Sequence, residues 1–221
     1  MSDLLSRLND EQRDACSHGD GPLLIFAGAG SGKTRVLTHR VAHLIACEKA
    51  RPSEILAVTF TNKAAAELKH RLAQLLSPEA AKYVWAGTFH ATCARLLRME
   101  GEAIGIPPEF VIYDESEKLS AIKRALQELN LDAKRFEPRA VSYRISDAKN
   151  ELMGPAEFAE YASEYMDVMV ARVYRKYDEL LSRGGSLDFD EPIKKAVELL
   201  RTSNEMREQY STKFSYVLLA E

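Results

Sequence analysis

Cysteine is scarce in this chain of 221 residues, and its three copies are Cys16, Cys47 and Cys93. None stands in the close pairs of a zinc site, and an odd number of thiols without a secretion signal excludes a disulfide scaffold and points to a reducing cytoplasm. No apolar run approaches the ~20 residues of a membrane helix, and the N-terminus lacks the basic-then-apolar layout of a leader. Excess positive charge is missing too: 30 Lys and Arg stand against 33 Asp and Glu, for a formal charge of −3. An anionic partner must then be met by a local patch rather than a bulk field. Internal repeats and low-complexity tracts are absent as well. What remains is an ordinary soluble composition, 46% hydrophobic, enough for one core or for one core carrying a smaller inserted domain.

Four short runs rich in β-branched and aromatic residues, LLIFAG, ILAVTF, YVWAGTF and FSYVLLAE, read as strands of a parallel sheet. Between them, Thr34 to Glu48 and Asn62 to Leu76 carry apolar residues three and four apart, which gives helices and two βαβ crossovers. From Arg95 to about Leu181 the pattern is almost wholly helical, with turn signals at GIPPEF, FEPRA and MGPAEF and one strand-like run at FVIYD. A further helical pattern follows GGSLDFDEPI. The expected fold is α/β, a P-loop parallel sheet flanked by helices and interrupted by a mainly helical insertion.

The stretch AGAGSGKT, Ala27 to Thr34, is the clearest chemical signal. A strand passing through a Gly-rich turn into a helix aims backbone N–H groups and the positive end of a helix dipole at one point, which suits a polyphosphate. Ala27, Gly28, Ala29, Gly30, Ser31 and Gly32 form the turn, Lys33 reaches the β and γ phosphates, and Thr34 offers a hydroxyl to Mg²⁺. The pattern asks for Gly where Ala27 stands, but that position closes the strand, where a methyl need not block the phosphate. ATP and Mg²⁺ are the implied cofactors, although kinases, transporters, GTPases and motors all use such a loop.

Open parallel sheets bind ligands at the carboxyl ends of their strands. The next two strands end in Thr59, Phe60, Thr61, Asn62, Lys63 and in Gly87, Thr88, Phe89, His90. Hydroxyls, helix starts and rings in two adjacent loops suit single-stranded nucleic acid, with phosphates on the former and bases stacked on the latter. Charge agrees, since Thr59 to Arg98 carries six Lys or Arg against two Glu. The same residues also fit a plainer reading, with Phe60 and Phe89 in a core, Thr-Asn as helix caps and His90 as a polar helix start. His39 and His43 stand four apart in HRVAH, but without the Glu of a zinc-protease motif they read as a solvated helix face.

Taken together, LNDEQRDAC, AGAGSGKTRVL, ILAVTFTNKAAAELKHR, GTFHATCARLLR and SLDFDEPI resemble, in order and almost end to end, the N-terminal part of UvrD/Rep/PcrA-like superfamily 1A DNA helicases. The resemblance implies a RecA-like domain 1A over residues 1–98, a helical subdomain 1B over 99–186, and a return to 1A over 187–221. It also implies that Gln12 reads the adenine edge, that Arg35 lies beside base or ribose, and that Phe60, Asn62, Thr88, Phe89 and His90 lie along single-stranded DNA. ISDAKNEL and VYRKYDELL are similar to its 1B helices. Residues 134–149, with five Lys or Arg against two acids, then suit duplex phosphates through Arg139, Arg144 and Lys149, while the acid-rich stretch from Asn150 to Glu191 reads as a solvated face.

In that family the next strand ends in an Asp-Glu pair. Here Glu221 matches the general base, but Ala220 stands where the Asp that supports Mg²⁺ is expected. The second RecA-like domain, which closes on ATP in the family, has no counterpart. The expectation is therefore the N-terminal portion of a 3′-to-5′ DNA helicase of repair or replication. Its ligands would be ATP, Mg²⁺, single-stranded DNA and single/double-strand junctions, and it would not unwind DNA alone. Two other functions fit parts of the sequence, a silent nucleotide- or DNA-binding module and a small P-loop phosphotransferase.

Overall fold

The computed structural model describes residues 4–28 and 30–220. In chain order these form α1 (Asp10–Ser17), α2 (Lys33–Ala46), β1 (Ile55–Thr59), α3 (Asn62–Leu75), α4 (Pro78–Tyr83), β2 (Trp85–Thr88) and α5 (Phe89–Glu100). Then come β3 (Val111–Tyr113), α6 (Glu115–Glu128), α7 (Pro138–Asn150), α8 (Pro155–Tyr161), α9 (Tyr165–Arg183), β4 (Ser186–Asp188), α10 (Glu191–Thr202), α11 (Asn204–Lys213) and β5 (Tyr216–Ala220). They divide into two compact units, Met1–Thr92 with Asn204–Glu221, and Cys93–Ser203. The chain thus leaves the first unit within α5 and re-enters it at α11.

The first unit is built on a parallel sheet of order β2-β1-β5. Parallel strands need a crossover, and α3 with α4 supplies it between β1 and β2. Ala65, Leu68 and Leu72 are the buried residues of α3 and fall on one helical face; Leu68 and Leu72 pack with Val41 and Leu44 of α2, Ile55 and Ala57 of β1 and Leu218 of β5. Leu72 is almost fully buried, so its truncation to Ala costs about 2–5 kcal/mol. Thr61 starts α3 by accepting the N–H of Ala64, and Thr88 starts α5 by accepting that of Ala91. Trp85 of β2 meets Phe214 edge-on, while the Lys213 ammonium lies 4.6 Å from the Trp85 ring centroid, tying α11 to the sheet.

One expected strand is missing. Residues 22–28 hold no regular structure, and Leu23, Leu24, Ile25 and Phe26 are exposed, Phe26 by 90%. A strand exists only where a neighbour pairs its N–H and C=O groups, and among the described residues the sheet ends at β5 without this run joining it. Only one of the two expected crossovers is therefore present. The side chains of Val217 and Leu219 on β5 are exposed as well, so this strand is not covered on both faces.

The second unit is helical around Ile122, Leu126, Ile145, Val173, Tyr174, Tyr177 and Leu181, contributed by α6, α7 and α9. Its small parallel sheet pairs β3 with β4. The pattern at FVIYD anticipated β3, whereas β4 was not expected. Three residues ending in a buried Asp188 give no alternation to read.

Candidate nucleotide and DNA site

The Gly-rich loop is held from both sides by the protein's own groups. Gly30 and Gly32 adopt positive φ of 78° and 91°, the left-handed region where a β-carbon is costly. At Gly32 such a carbon would also stand 2.9 Å from the Gln12 amide. Ser31 folds back on the Gly28 carbonyl through its N–H and its hydroxyl, at 3.3 and 2.7 Å. Lys33, the first residue of α2, donates to the Ala27 carbonyl at 3.0 Å. Its ammonium thus bridges the start of the loop to the helix that leaves it. Thr34 is half-buried in the first turn of α2, and Ala29 lies outside the described residues.

Gln12 takes part in this loop. Asn9 caps α1 by accepting the Gln12 N–H at 2.8 Å, and Gln12 returns the contact by accepting the Asn9 N–H. The Gln12 amide N–H then donates to the Ser31 carbonyl at 3.0 Å. Arg35 extends to the Arg7 carbonyl at 2.7 Å, which orients the turn before α1.

Arg40 was not among the residues singled out from sequence. Its guanidinium, 8% exposed, donates to the carbonyls of Ala15, Cys16, His18 and Gly19 where α1 ends. A signal was there, since Arg40 shares a helical face with Leu37, Val41 and Leu44. Cys16 lies beneath, donating to the Val36 carbonyl. Burial pushes its thiol up to about 11 and does the same for Cys93, so neither is a nucleophile near neutrality. His39 and His43 are half-buried rather than solvated: the His39 ring bonds the Arg35 carbonyl, and His43 lies 3.6 Å from the Cys47 sulfur. Desolvation holds His43 below the usual imidazole range, and no metal-binding group of His, Cys, Asp and Glu exists among the described residues.

The second cluster lies at the carboxyl edge of the sheet. In register, Thr59 pairs with Thr88 on one side and Ala220 on the other, so three strand ends stand side by side. Immediately beyond them, Phe60 and Phe89 meet with ring centroids 5.2 Å apart and planes tilted by 55°. Phe60 is 54% exposed while Phe89 is half-buried, so the core reading fails for Phe60. Thr61, Asn62 and Lys63 are exposed at the start of α3, Thr59, Gly87 and Thr88 are buried, and His90 is half-buried. The basic count thins on inspection, because Arg71 is paired with Glu67 and the Arg98 guanidinium rests on the Phe110 ring of the second unit. Lys63, Lys69 and Lys82 stay exposed. Glu221 lies outside the described residues.

Residues 8–221 match the model of the UvrD/REP helicase N-terminal domain. The chain belongs to that family. Among curated relatives, it is 48% identical over 218 residues, 99% of its length, to the ATP-dependent DNA helicase PcrA of Bacillus subtilis, and 45% identical over its whole length to that of Staphylococcus aureus. It spans about three-tenths of each relative. No helix among the described residues of this UvrD/REP domain is long and apolar enough to cross a membrane.

The helical unit of the UvrD/REP domain overturns one sequence reading. Lys149, expected on a DNA-facing surface, is fully buried; its ammonium sits 2.6 Å from Asp188 and 3.2 Å from Glu191. Tyr177 donates to the same Asp188 carboxylate at 2.8 Å. Lys118 and Ser146 hold Asp190 at 2.6 and 2.7 Å. The stretch SLDFDEPI is therefore not a solvated acidic face but half of a buried ion-pair network that fixes the β4–α10 corner. Desolvation first, then the neighbouring Asp188 and Asp178, pushes the Glu191 carboxyl up to about 7 despite Lys149. Arg144 pairs with Asp167 while remaining exposed, as are Arg139 and Tyr143 on the same helix.

Proposed function

We propose that this chain is the ATP-binding and single-stranded-DNA-binding N-terminal part of a DNA helicase that translocates 3′ to 5′ in repair or replication. The observation that carries the DNA half is the tilted Phe60–Phe89 pair just beyond three aligned strand ends, with the α3 and α5 starts beside it. An exposed ring supported by a second ring is a platform for a base, and the hydroxyl-rich helix starts suit phosphates. Residues 1–98 and 187–221 would then be the RecA-like domain 1A and residues 99–186 subdomain 1B. Arg139 and the neighbouring exposed Lys134 suit duplex phosphates at a junction.

The loop fits a triphosphate. Gly30 and Gly32 leave the backbone room, and the Lys33 ammonium has only to exchange the Ala27 carbonyl for a phosphate oxygen. Thr34 supplies one oxygen for Mg²⁺, whose other ligands would be phosphates and waters, since Mg²⁺ keeps few protein ligands. When bound, the ion would neutralise charge developing on the γ phosphate. Gln12, already bonded to the loop, suits the adenine edge. Glu221 would be the base for the attacking water. With Ala220 beside it, this portion would bind nucleotide and DNA, while stepping along a strand would need a second lobe that closes on ATP. Partners of the whole protein would include its own C-terminal RecA-like domain and the single/double-strand junction.

Lys33→Ala should weaken ATP binding roughly tenfold to a hundredfold, the worth of a lost charge-assisted contact of about 1.5–3 kcal/mol, and leave oligonucleotide affinity intact. Phe60→Ala should do the reverse. ATP affinity unchanged by the first substitution, or DNA affinity unchanged by the second, removes the corresponding half of the proposal. Steady ATP turnover with a small acceptor would favour a phosphotransferase instead.

A further inference from the structure

The helical unit carries a cleft of about 770 Å³ where the end of α7, α8 and the first turn of α9 meet α10. Its floor is apolar, made by Leu152, Met153 and Phe158, the last braced edge-on against Tyr174. On this floor Tyr161 stands 78% exposed, a large ring left in water beside apolar surface. Its rim is acidic. Glu151, Glu157, Glu160 and Asp167 line it against a single cation, Arg201. Glu157 spends one oxygen on the Gly154 N–H, and Asp167 is paired with Arg144. Glu151 and Glu160 enter no ion pair among the described residues, so their charge is available.

We propose that this cleft docks a short basic peptide segment of a partner protein, one that places a Trp or Leu side chain on the floor between flanking Lys or Arg residues. The volume falls within the range that encloses a large side chain with adjoining backbone. Exposed aromatic rings beside apolar surface are the anchors on which protein contacts concentrate. Charge selects the occupant: nucleotides and DNA are repelled by the unpaired Glu151 and Glu160, whereas a guanidinium can bridge either of them in two-pronged fashion and lie on the Tyr161 face. The aliphatic stems of Lys and Arg would cover what floor the anchor leaves open. The residues proposed above for nucleotide and single-stranded DNA belong to the first unit, whereas the cleft is lined wholly by the second.

The test titrates the 221-residue chain with the N-acetylated hexapeptide Lys-Arg-Trp-Leu-Lys-Arg by calorimetry at physiological ionic strength. Saturable binding is expected, at least fivefold weaker in Glu151→Lys/Glu160→Lys and in Tyr161→Ala, with thermal unfolding and ATP affinity unchanged. These side chains are exposed, so the variants should fold. No saturation at millimolar peptide, or equal affinity in the charge-reversed chain, would overturn the proposal. So would equal binding of a peptide with Gly-Gly in place of Trp-Leu, which means bulk charge attraction, or loss of peptide binding in Phe60→Ala, which means the peptide sits on the DNA edge.

Discussion

The two units spend the same kinds of side chain in opposite ways. In the sheet unit, Lys33 is half-buried and, among the described residues, its ammonium bonds only a carbonyl, and Phe60 stands largely in water. In the helical unit, Lys149 has no exposure and two carboxylate partners, and Tyr174 and Tyr177 are wholly enclosed. A cation held by a replaceable acceptor can be claimed by a ligand. One neutralised in a dry interior cannot leave without exposing two acids to a poor solvent. The contrast separates residues open to a ligand from residues enclosed in the architecture, although all are Lys or aromatic in the sequence.

The largest effect should come from breaking the enclosed side of this contrast. Lys149→Met strands Asp188 and Glu191 and should destabilise the helical unit by about 3–5 kcal/mol, measured by urea unfolding, while ATP affinity per folded molecule stays unchanged. A loss near zero would mean that water reaches the network.

A smaller effect should appear with pH. The folded carboxyl of Glu191 titrates near 7, against about 4.3 for an unfolded Glu, so the folded form holds a proton that the unfolded chain releases. Its contribution to stability is fully present below pH ~4.3 and is lost as pH rises through about 7. The facing groups are Lys149, whose pKa these carboxylates raise, and Asp188 and Asp178, which favour the protonated Glu191. Asp190 has a lowered pKa, and its contribution runs the other way, lost only as the solution is acidified. Glu191→Gln should therefore flatten the fall in stability between pH 5 and 7.5, by on the order of 1–3 kcal/mol, in thermal scans across that range. Parallel curves for the two proteins would refute the assignment.

On the open side, Thr61→Ala should cost about 1 kcal/mol through loss of the α3 cap, visible as a lowered unfolding midpoint. Phe60→Leu should leave that midpoint within ~0.5 kcal/mol, because the ring is largely exposed. A large loss for Phe60→Leu would move this ring to the architectural class and blur the distinction between the units.

Much of the sheet unit is legible in the sequence, because its signals are local. ILAVTF, YVWAGTF and FSYVLLAE are strands, and the periodic stretches around them are helices, with ends a residue or two from those read off the pattern. The phosphate loop is a fixed spacing of Gly, Lys and Thr. The run LLIFAG misleads because strand propensity says nothing about whether a neighbour is present to complete the ladder. Lys149 misleads for a related reason: its partner Asp188 is 39 residues away, and a helix pattern with alternating charges reads as solvated until those partners are placed. Arg40 is an intermediate case, with its face readable and its four carbonyl acceptors not.

The fan of hydrogen bonds from Arg40 makes a mechanical linkage. It clamps the end of α1 to the middle of α2, while Gln12 and Lys33 extend from those same two helices toward a single loop. Any tilt of α2 must carry the end of α1 with it, so the two helices bonded to this loop form a single jaw around it.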